Sequence, residues 1–158
     1  MRRFRVVLWA LVAAWAVLIY YLSTVTFGGS FSGLLLGKIL ATLHVHVTSS
    51  TFAELDFLFR KAGHTTEYAI FAMLLYVAGA GEKAVRWDTR RAIASIFIAG
   101  LYSLTDEYHQ SFVPGRGPAL SDCALDTLAA AFGMLIVYVD TLLFGGGKPP
   151  ANSLDESR

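Results

Sequence analysis

The sequence predicts an all-α integral membrane protein, a four-transmembrane-helix bundle with an outer interfacial or re-entrant segment between spans 1 and 2. Three observations predict it. Apolar residues make up 55% of the 158-residue chain and charged residues only 16%, against about 45–50% and about 25% for a soluble domain. Four stretches approach the ~20 mainly apolar residues that cross a bilayer as a helix. Most of the thirteen Lys and Arg residues fall on one side of the resulting topology. The same composition excludes a disordered chain, and the single cysteine, Cys123, excludes a disulfide scaffold. A net charge of +1 carries no bias toward polyanions, which removes nucleic acid as a partner.

The first span covers residues 4–22 and is free of charge after Arg5. Arg2, Arg3 and Arg5 would suit a signal peptide, but the apolar run is long for one and no A-x-A site follows. A retained helix is expected. Residues 28–61 are too many for a tight turn. Within them FSGLLLGKILATLHVHV is apolar but interrupted by Gly33, Gly37 and Lys38, which suits a helix lying on the outer leaflet. A fifth full span there would be short and would invert everything downstream. The second span covers residues 62–80, with His64 and Glu67 near its start. The third covers residues 92–113 and is apolar until Asp106, Glu107, His109 and Gln110. The fourth covers residues 121–144, with Asp122 and Asp126 in its first turns. Residues 1–144 thus form one domain, and residues 145–158, polar and rich in Gly and Pro, read as a disordered cytoplasmic tail.

Orientation follows from Arg2, Arg3, Arg5, Lys83, Arg86, Arg90, Arg91, Lys148 and Arg158 on one side, against Lys38, Arg60, Lys61 and Arg116 on the other. The positive-inside rule puts both termini in the cytoplasm. This topology brings His64, Glu67, Asp106, Glu107, His109, Gln110, Asp122 and Asp126 to one membrane depth at the outer face. Residues three or four apart share a helix face, which aligns His64 with Glu67 and Tyr68, Asp106 with His109, Glu107 with Gln110, and Asp122 with Asp126. A charge facing lipid costs ~2.5–3.5 kcal/mol on insertion scales, so these faces should point into the bundle. The loop from Val113 to Pro118, stiffened by two prolines and bent by two glycines, would hold Arg116 over the same place.

Each residue has a chemical reading and a plainer one. His64 and Glu67 suit a base and its partner, or metal ligands; alternatively they bind backbone and headgroups at a helix start. Glu107, Gln110 and Arg116 suit an anionic substrate, or an ion pair that locks the outer loop. Asp122 sits where capping and the helix dipole alone favour a carboxylate, whereas Asp126 is one turn deeper and is the better site residue. Crowded carboxylates could also be relieved by a divalent cation, for which Asp106 and His109 are the candidate ligands. A plain pairing of His109 with Asp106 is the alternative. His44 and His46 alternate as in a strand or an interface, without further ligands spaced to close a metal site. Cys123 reads as core packing, and Trp9, Trp15, Tyr20 and Tyr21 as packing and interfacial anchors. No phosphate-binding glycine loop, G-x-S-x-G elbow or H-E-x-x-H occurs.

Two blocks carry a resemblance. The first is Arg60-Lys61-x-x-His64-x-x-Glu67-Tyr68. The second is Asp106-Glu107-x-His109-Gln110-x-Phe112-x-Pro114-Gly115-Arg116, followed by Asp122-x-x-x-Asp126-Thr127 and Gly133. In order, spacing and topology this stretch resembles the VanZ-like family of small bacterial membrane proteins. The sequence departs from the family at Ala129, often a glycine, and at Gly117, usually polar or basic. The resemblance implies a multi-pass protein of the bacterial cytoplasmic (inner) membrane and cell envelope. It also brings a link to antibiotic resistance, since the founding member is tied to resistance to teicoplanin, a glycopeptide that binds cell-wall precursors. It implies no particular reaction.

The expected function is an extracytoplasmic polar site that binds or processes a lipid-linked or phosphate-bearing envelope component. His64, Glu67, Glu107, Gln110 and Asp126 are the candidate catalytic residues; Lys61, Arg116 and Asp122 are the candidate substrate ligands. Partners would be membrane lipids or a lipid-linked cell-wall component. One alternative is a non-catalytic structural or interaction module of the envelope. Another is a small proton-coupled transporter, against which the ionisable residues stop at the outer third, with only Asp140 near the inner end of the fourth span. A thin four-span bundle leaves an oligomer open without specifying one.

Overall fold

The computed structural model describes residues 2–23, 29–81, 87–112 and 120–144. Among them are five helices and no strand: α1 (Arg2–Leu22), α2 (Gly29–Thr42), α3 (Ser49–Ala80), α4 (Thr89–Gln110) and α5 (Leu120–Phe144). Two stretches, Arg3–Leu22 and Leu120–Phe144, are long and apolar enough to cross a membrane. The other two expected spans carry the polar residues of the site within the segment that would cross, which lowers their mean hydropathy.

The local chemistry explains where the helices stop. Helix α2 closes with two hydrogen bonds, Val45 N–H to the Leu40 carbonyl (2.9 Å) and His44 N–H to the Ala41 carbonyl (3.1 Å). That is the Schellman arrangement, and it puts His44 in the left-handed region at φ 54°. Thr48 then caps α3 by accepting from Thr51 N–H at 3.2 Å, and Gly81, at φ 67°, ends it. Asp88 caps α4 by accepting from Arg91 N–H at 3.1 Å.

The helix that contains the second expected span, residues 62–80, is longer than that span: α3 begins at Ser49 and runs 32 residues, about 48 Å at 1.5 Å per residue. Residues 49–61 contain no Gly or Pro to break the helix and carry Glu54, Asp56 and Arg60, so hydropathy alone hides their helical continuity. The segment between the first two expected spans therefore holds α2, a turn and the first turns of α3. The third expected span falls on α4, which starts three residues earlier than expected, at Thr89 behind its Asp88 cap, and ends at Gln110.

Helix α3 is the central element, sharing its largest interface with α5 and further ones with α1, α4 and α2. Small residues let the backbones approach. A Cβ built on Gly133 would lie 2.5 Å from the Ala69 carbonyl oxygen, and Ala72, Ala99, Ala129 and Ala130 are all buried. Ala129 fills its buried position where a glycine would leave more room. Helix α1 is fastened by side chain to backbone: the Trp15 indole donates to the Glu67 carbonyl (3.0 Å) and the Tyr102 hydroxyl to the Ala16 carbonyl (2.7 Å). At one end of the bundle Tyr76, Trp87 and Tyr138 pack ring on ring, and the Tyr76 hydroxyl accepts from Asp88 N–H at 2.9 Å. The outward faces are apolar: Val6, Val7, Val17, Ile93, Phe97, Leu128, Phe132 and Leu142 are all exposed.

Candidate functional site

At the opposite end from the Trp87 cluster, polar residues from three helices meet. Helix α3 contributes Lys61, His64 and Glu67; α4 contributes Ser103, Asp106, Glu107 and Gln110; α5 contributes Asp122 and Asp126. Their order follows from the packing directions. Lys61 pairs with Asp122 and Ala69 abuts Gly133, so α3 and α5 run parallel. Ser103 bonds Asp126 and Gly100 faces Thr127, so α4 runs against α5. The start of α3, the end of α4 and the start of α5 must then share one level.

Lys61 Nζ forms an ion pair with the Asp122 carboxylate, joining α3 to α5. The Ser103 hydroxyl donates to Asp126 Oδ2 at 2.7 Å, joining α4 to α5. Gln110 Nε2 donates to Asp106 Oδ2 at 2.8 Å. His64 Nδ1 faces Glu67 Oε2 at 3.8 Å across one helical turn. Asp106, Glu107, Gln110 and Asp126 are all less than 9% exposed, although charged residues are almost never fully buried without partners.

Lys61, His64, Glu107, Asp122, Leu125 and Asp126 line a cavity of about 10 Å³, room for about one water molecule. Among the described residues Asp106 Oδ1, deeply buried close by, has no hydrogen-bond partner, and the hydroxyl of Tyr68, whose side chain is fully enclosed, lies beside Ser103. Buried polar groups are nearly always satisfied, so an atom such as Asp106 Oδ1 marks a place for a water, a proton or a ligand group.

One expected pairing is corrected. Asp106 is bonded to Gln110, not to His109, and His109 instead packs on Tyr20 of α1 with ring centroids 4.4 Å apart. Gln110 shares a helix face with both Asp106 and Glu107, four and three residues before it, and all three are buried. Asp122 and Asp126 lie on one face as expected, each with a partner from another helix. Arg116, the rest of its loop and residues 145–158 lie outside the described residues, as do Lys83 and Arg86. Among the described residues no group of three or more His, Cys, Asp and Glu side chains is placed to hold a metal ion; the candidates Asp106 and His109 have different neighbours. Cys123 is buried in the bundle.

Sequence reasoning missed Ser103, which is fully buried and is the direct partner of Asp126. The signal was present, because Ser103 lies three and four residues before Asp106 and Glu107 and so shares their face.

Comparison with known proteins returns no match among curated proteins and none among solved structures. A family model described as VanZ/LLP1 matches residues 8–144, which covers α1 from Leu8 onward, α2 to α5 and every described residue of the polar cluster. The chain belongs to the VanZ-like family.

Proposed function

We propose that this VanZ-like chain is an integral protein of the bacterial cytoplasmic membrane whose extracytoplasmic polar site binds or processes a lipid-linked or phosphate-bearing envelope component. The observation that carries the proposal is the cavity where Lys61, His64, Glu107, Asp122 and Asp126 of three helices meet. A membrane setting is supported by the many large apolar residues exposed on α1, α4 and α5, since a soluble monomer rarely exposes contiguous apolar surface. In that setting α1, the second half of α3, α4 and α5 cross the bilayer, with both termini cytoplasmic.

His64 and Glu67 form the acid–base pair, and Glu107, Gln110 and Asp126 polarise or protonate the reacting group. Lys61, Asp122 and Arg116 hold the substrate, with the Lys61–Asp122 pair opening to admit it. The water-sized cavity requires that opening, since no phosphate-bearing group fits in the closed state. Groups held in a dry, preorganised site act on developing charge far more strongly than in water.

A second reading is favoured by the bonds between helices. Lys61–Asp122 and Ser103–Asp126 each join two helices, as expected of a structural module of the envelope. The two readings separate on Glu107→Gln and Asp126→Asn, introduced into a glycopeptide-sensitive bacterium that expresses the protein. A functional site predicts loss of the protection against teicoplanin conferred by the wild type, with membrane insertion and thermal midpoint kept. A structural module predicts that protection and thermal midpoint fall together. Wild-type protein that confers no protection separates this member from teicoplanin resistance and moves the assay to changes in envelope lipid composition.

A further inference from the structure

A second feature lies on the other side of α3 from the carboxylate cluster. An apolar groove of about 410 Å³ runs between α1 and α3, walled by Trp15, Leu18, Leu22, Phe59, Gly63 and Ile70. It continues into a smaller space of about 180 Å³ reached by Phe31 and Ser32 of α2 and by Arg60 and His64 of α3. Leu22, Phe59, Gly63 and Glu67 line both, so the two form one cleft. The larger part alone falls within the ~300–1,000 Å³ of small-molecule sites.

The cleft has the polarity of an amphiphile. Its deep part, from Trp15 to Ile70, is hydrocarbon apart from Thr66 and Glu67, and Glu67 turns its carboxylate toward His64. Its other end carries Arg60. The Arg60 side chain is 38% exposed and its Nε makes a long ion pair with Asp56 at 4.0 Å, with no hydrogen-bond partner on Nε among the described residues. Arginine offers five N–H donors in a fork that suits a phosphate. Lys61, the next cation along the helix, is already paired with Asp122.

Gly63 sits at the centre of the cleft. Glycine within a helix costs about 1 kcal/mol relative to alanine, yet a Cβ built there meets no described residue within 4 Å. The missing side chain therefore relieves no clash among the described residues. It widens the cleft at the junction of its two parts.

We propose that the cleft between α1, α2 and α3 holds one phospholipid, its acyl chain along Trp15, Leu18 and Ile70 and its phosphodiester against Arg60. This deepens the reading above and rests on it, because a lipid so held would present its headgroup beside His64 and Glu67.

The test uses Trp15 as a reporter. The full-length protein in dodecyl maltoside micelles is titrated with phosphatidylglycerol brominated on its acyl chain, and separately with brominated diacylglycerol, which lacks the phosphate. The Trp15→Phe protein supplies the background from Trp9 and Trp87. The expected result is saturable quenching by the phospholipid, at a half-saturating concentration at least several-fold below that of diacylglycerol. Arg60→Gln should remove that difference. Gly63→Leu should abolish the saturable phase without loss of thermal midpoint, since it grows into open space, and Thr66→Leu should narrow the groove and act the same way. Equal quenching by the two probes in the wild type, or wild-type quenching in Gly63→Leu, overturns the proposal. Asp126 does not line the cleft, so failure here alongside loss of function in Asp126→Asn rejects the phospholipid and leaves the carboxylate site standing. Saturable quenching with full function in Asp126→Asn does the reverse.

Discussion

Gly133→Ala probes the contact on which the whole site depends, the close approach of α3 and α5. The added Cβ would lie 2.5 Å from the Ala69 carbonyl oxygen, 3.1 Å from its carbon and 3.2 Å from Ala69 Cα, whereas ordinary contact begins at 3.4 Å. All three obstacles are backbone, so no rotamer change relieves them and the helices must part by about 1 Å. Overpacking of this kind costs about 1–3 kcal/mol, and a backbone obstacle belongs at the upper end. Replacing a helical glycine by alanine returns about 1 kcal/mol, for a net loss of about 2 kcal/mol. At ~2–4 °C per kcal/mol for a chain of this size, the midpoint should fall by about 4–8 °C. Circular dichroism melts in detergent micelles would measure it. Gly100→Ala and Gly63→Ala serve as internal controls. The first meets the Thr127 side chain, with the hydroxyl at 3.0 Å, and the second meets no described residue, so Gly63→Ala should gain up to about 1 kcal/mol. A Gly133→Ala protein that melts with Gly63→Ala, at or above the wild type, would refute the close approach and with it the shared level of the polar residues.

Ser103→Ala removes the donor to Asp126 while leaving the carboxylate buried, which should cost about 1–3 kcal/mol in the same melts; no change would mean that Asp126 is wet. His44→Gly should stabilise by about 1 kcal/mol, because a non-glycine residue at φ 54° is strained and only glycine escapes the penalty; a lower midpoint would show that the His44 side chain makes a contact worth more than that. A double-mutant cycle on Lys61 and Asp122, both about a quarter to a third exposed, should give a coupling of at most about 1 kcal/mol that weakens with salt. A coupling of several kcal/mol, insensitive to salt, would mean that the pair is drier than its exposure indicates.

The polar cluster was legible before the fold because charge placement in an apolar chain is costly and therefore informative. Lys61, His64, Glu107, Asp122 and Asp126 each interrupt an apolar stretch near one of its ends, and the alternating directions of α3, α4 and α5 bring those ends together. The start of α3 was not legible in the same way. Its first turns mix Glu54, Asp56 and Arg60 with apolar residues, so a hydropathy window rejects them, and only the Thr48 cap and the absence of a breaker between residues 49 and 61 mark the helix. The partner of Asp106 was missed for a related reason. Helical spacing makes both His109 and Gln110 eligible, and the choice is decided by Tyr20 of α1, which takes the His109 ring. The α1–α3 cleft lay beyond sequence reasoning, since it depends on the angle between two helices that the residue pattern does not encode.

The central claim is that the cluster at the junction of α3, α4 and α5 is a binding site and not only a clamp between helices. Native mass spectrometry of wild-type protein and Glu107→Gln, both released from membrane mimetic, tests it most directly. Glu107 lines the cavity, and glutamine keeps its shape while removing its charge. A lipid or phosphate-bearing ligand should be retained by the wild type and lost from an equally stable variant. No ligand on either protein, together with a markedly less stable variant, would contradict it.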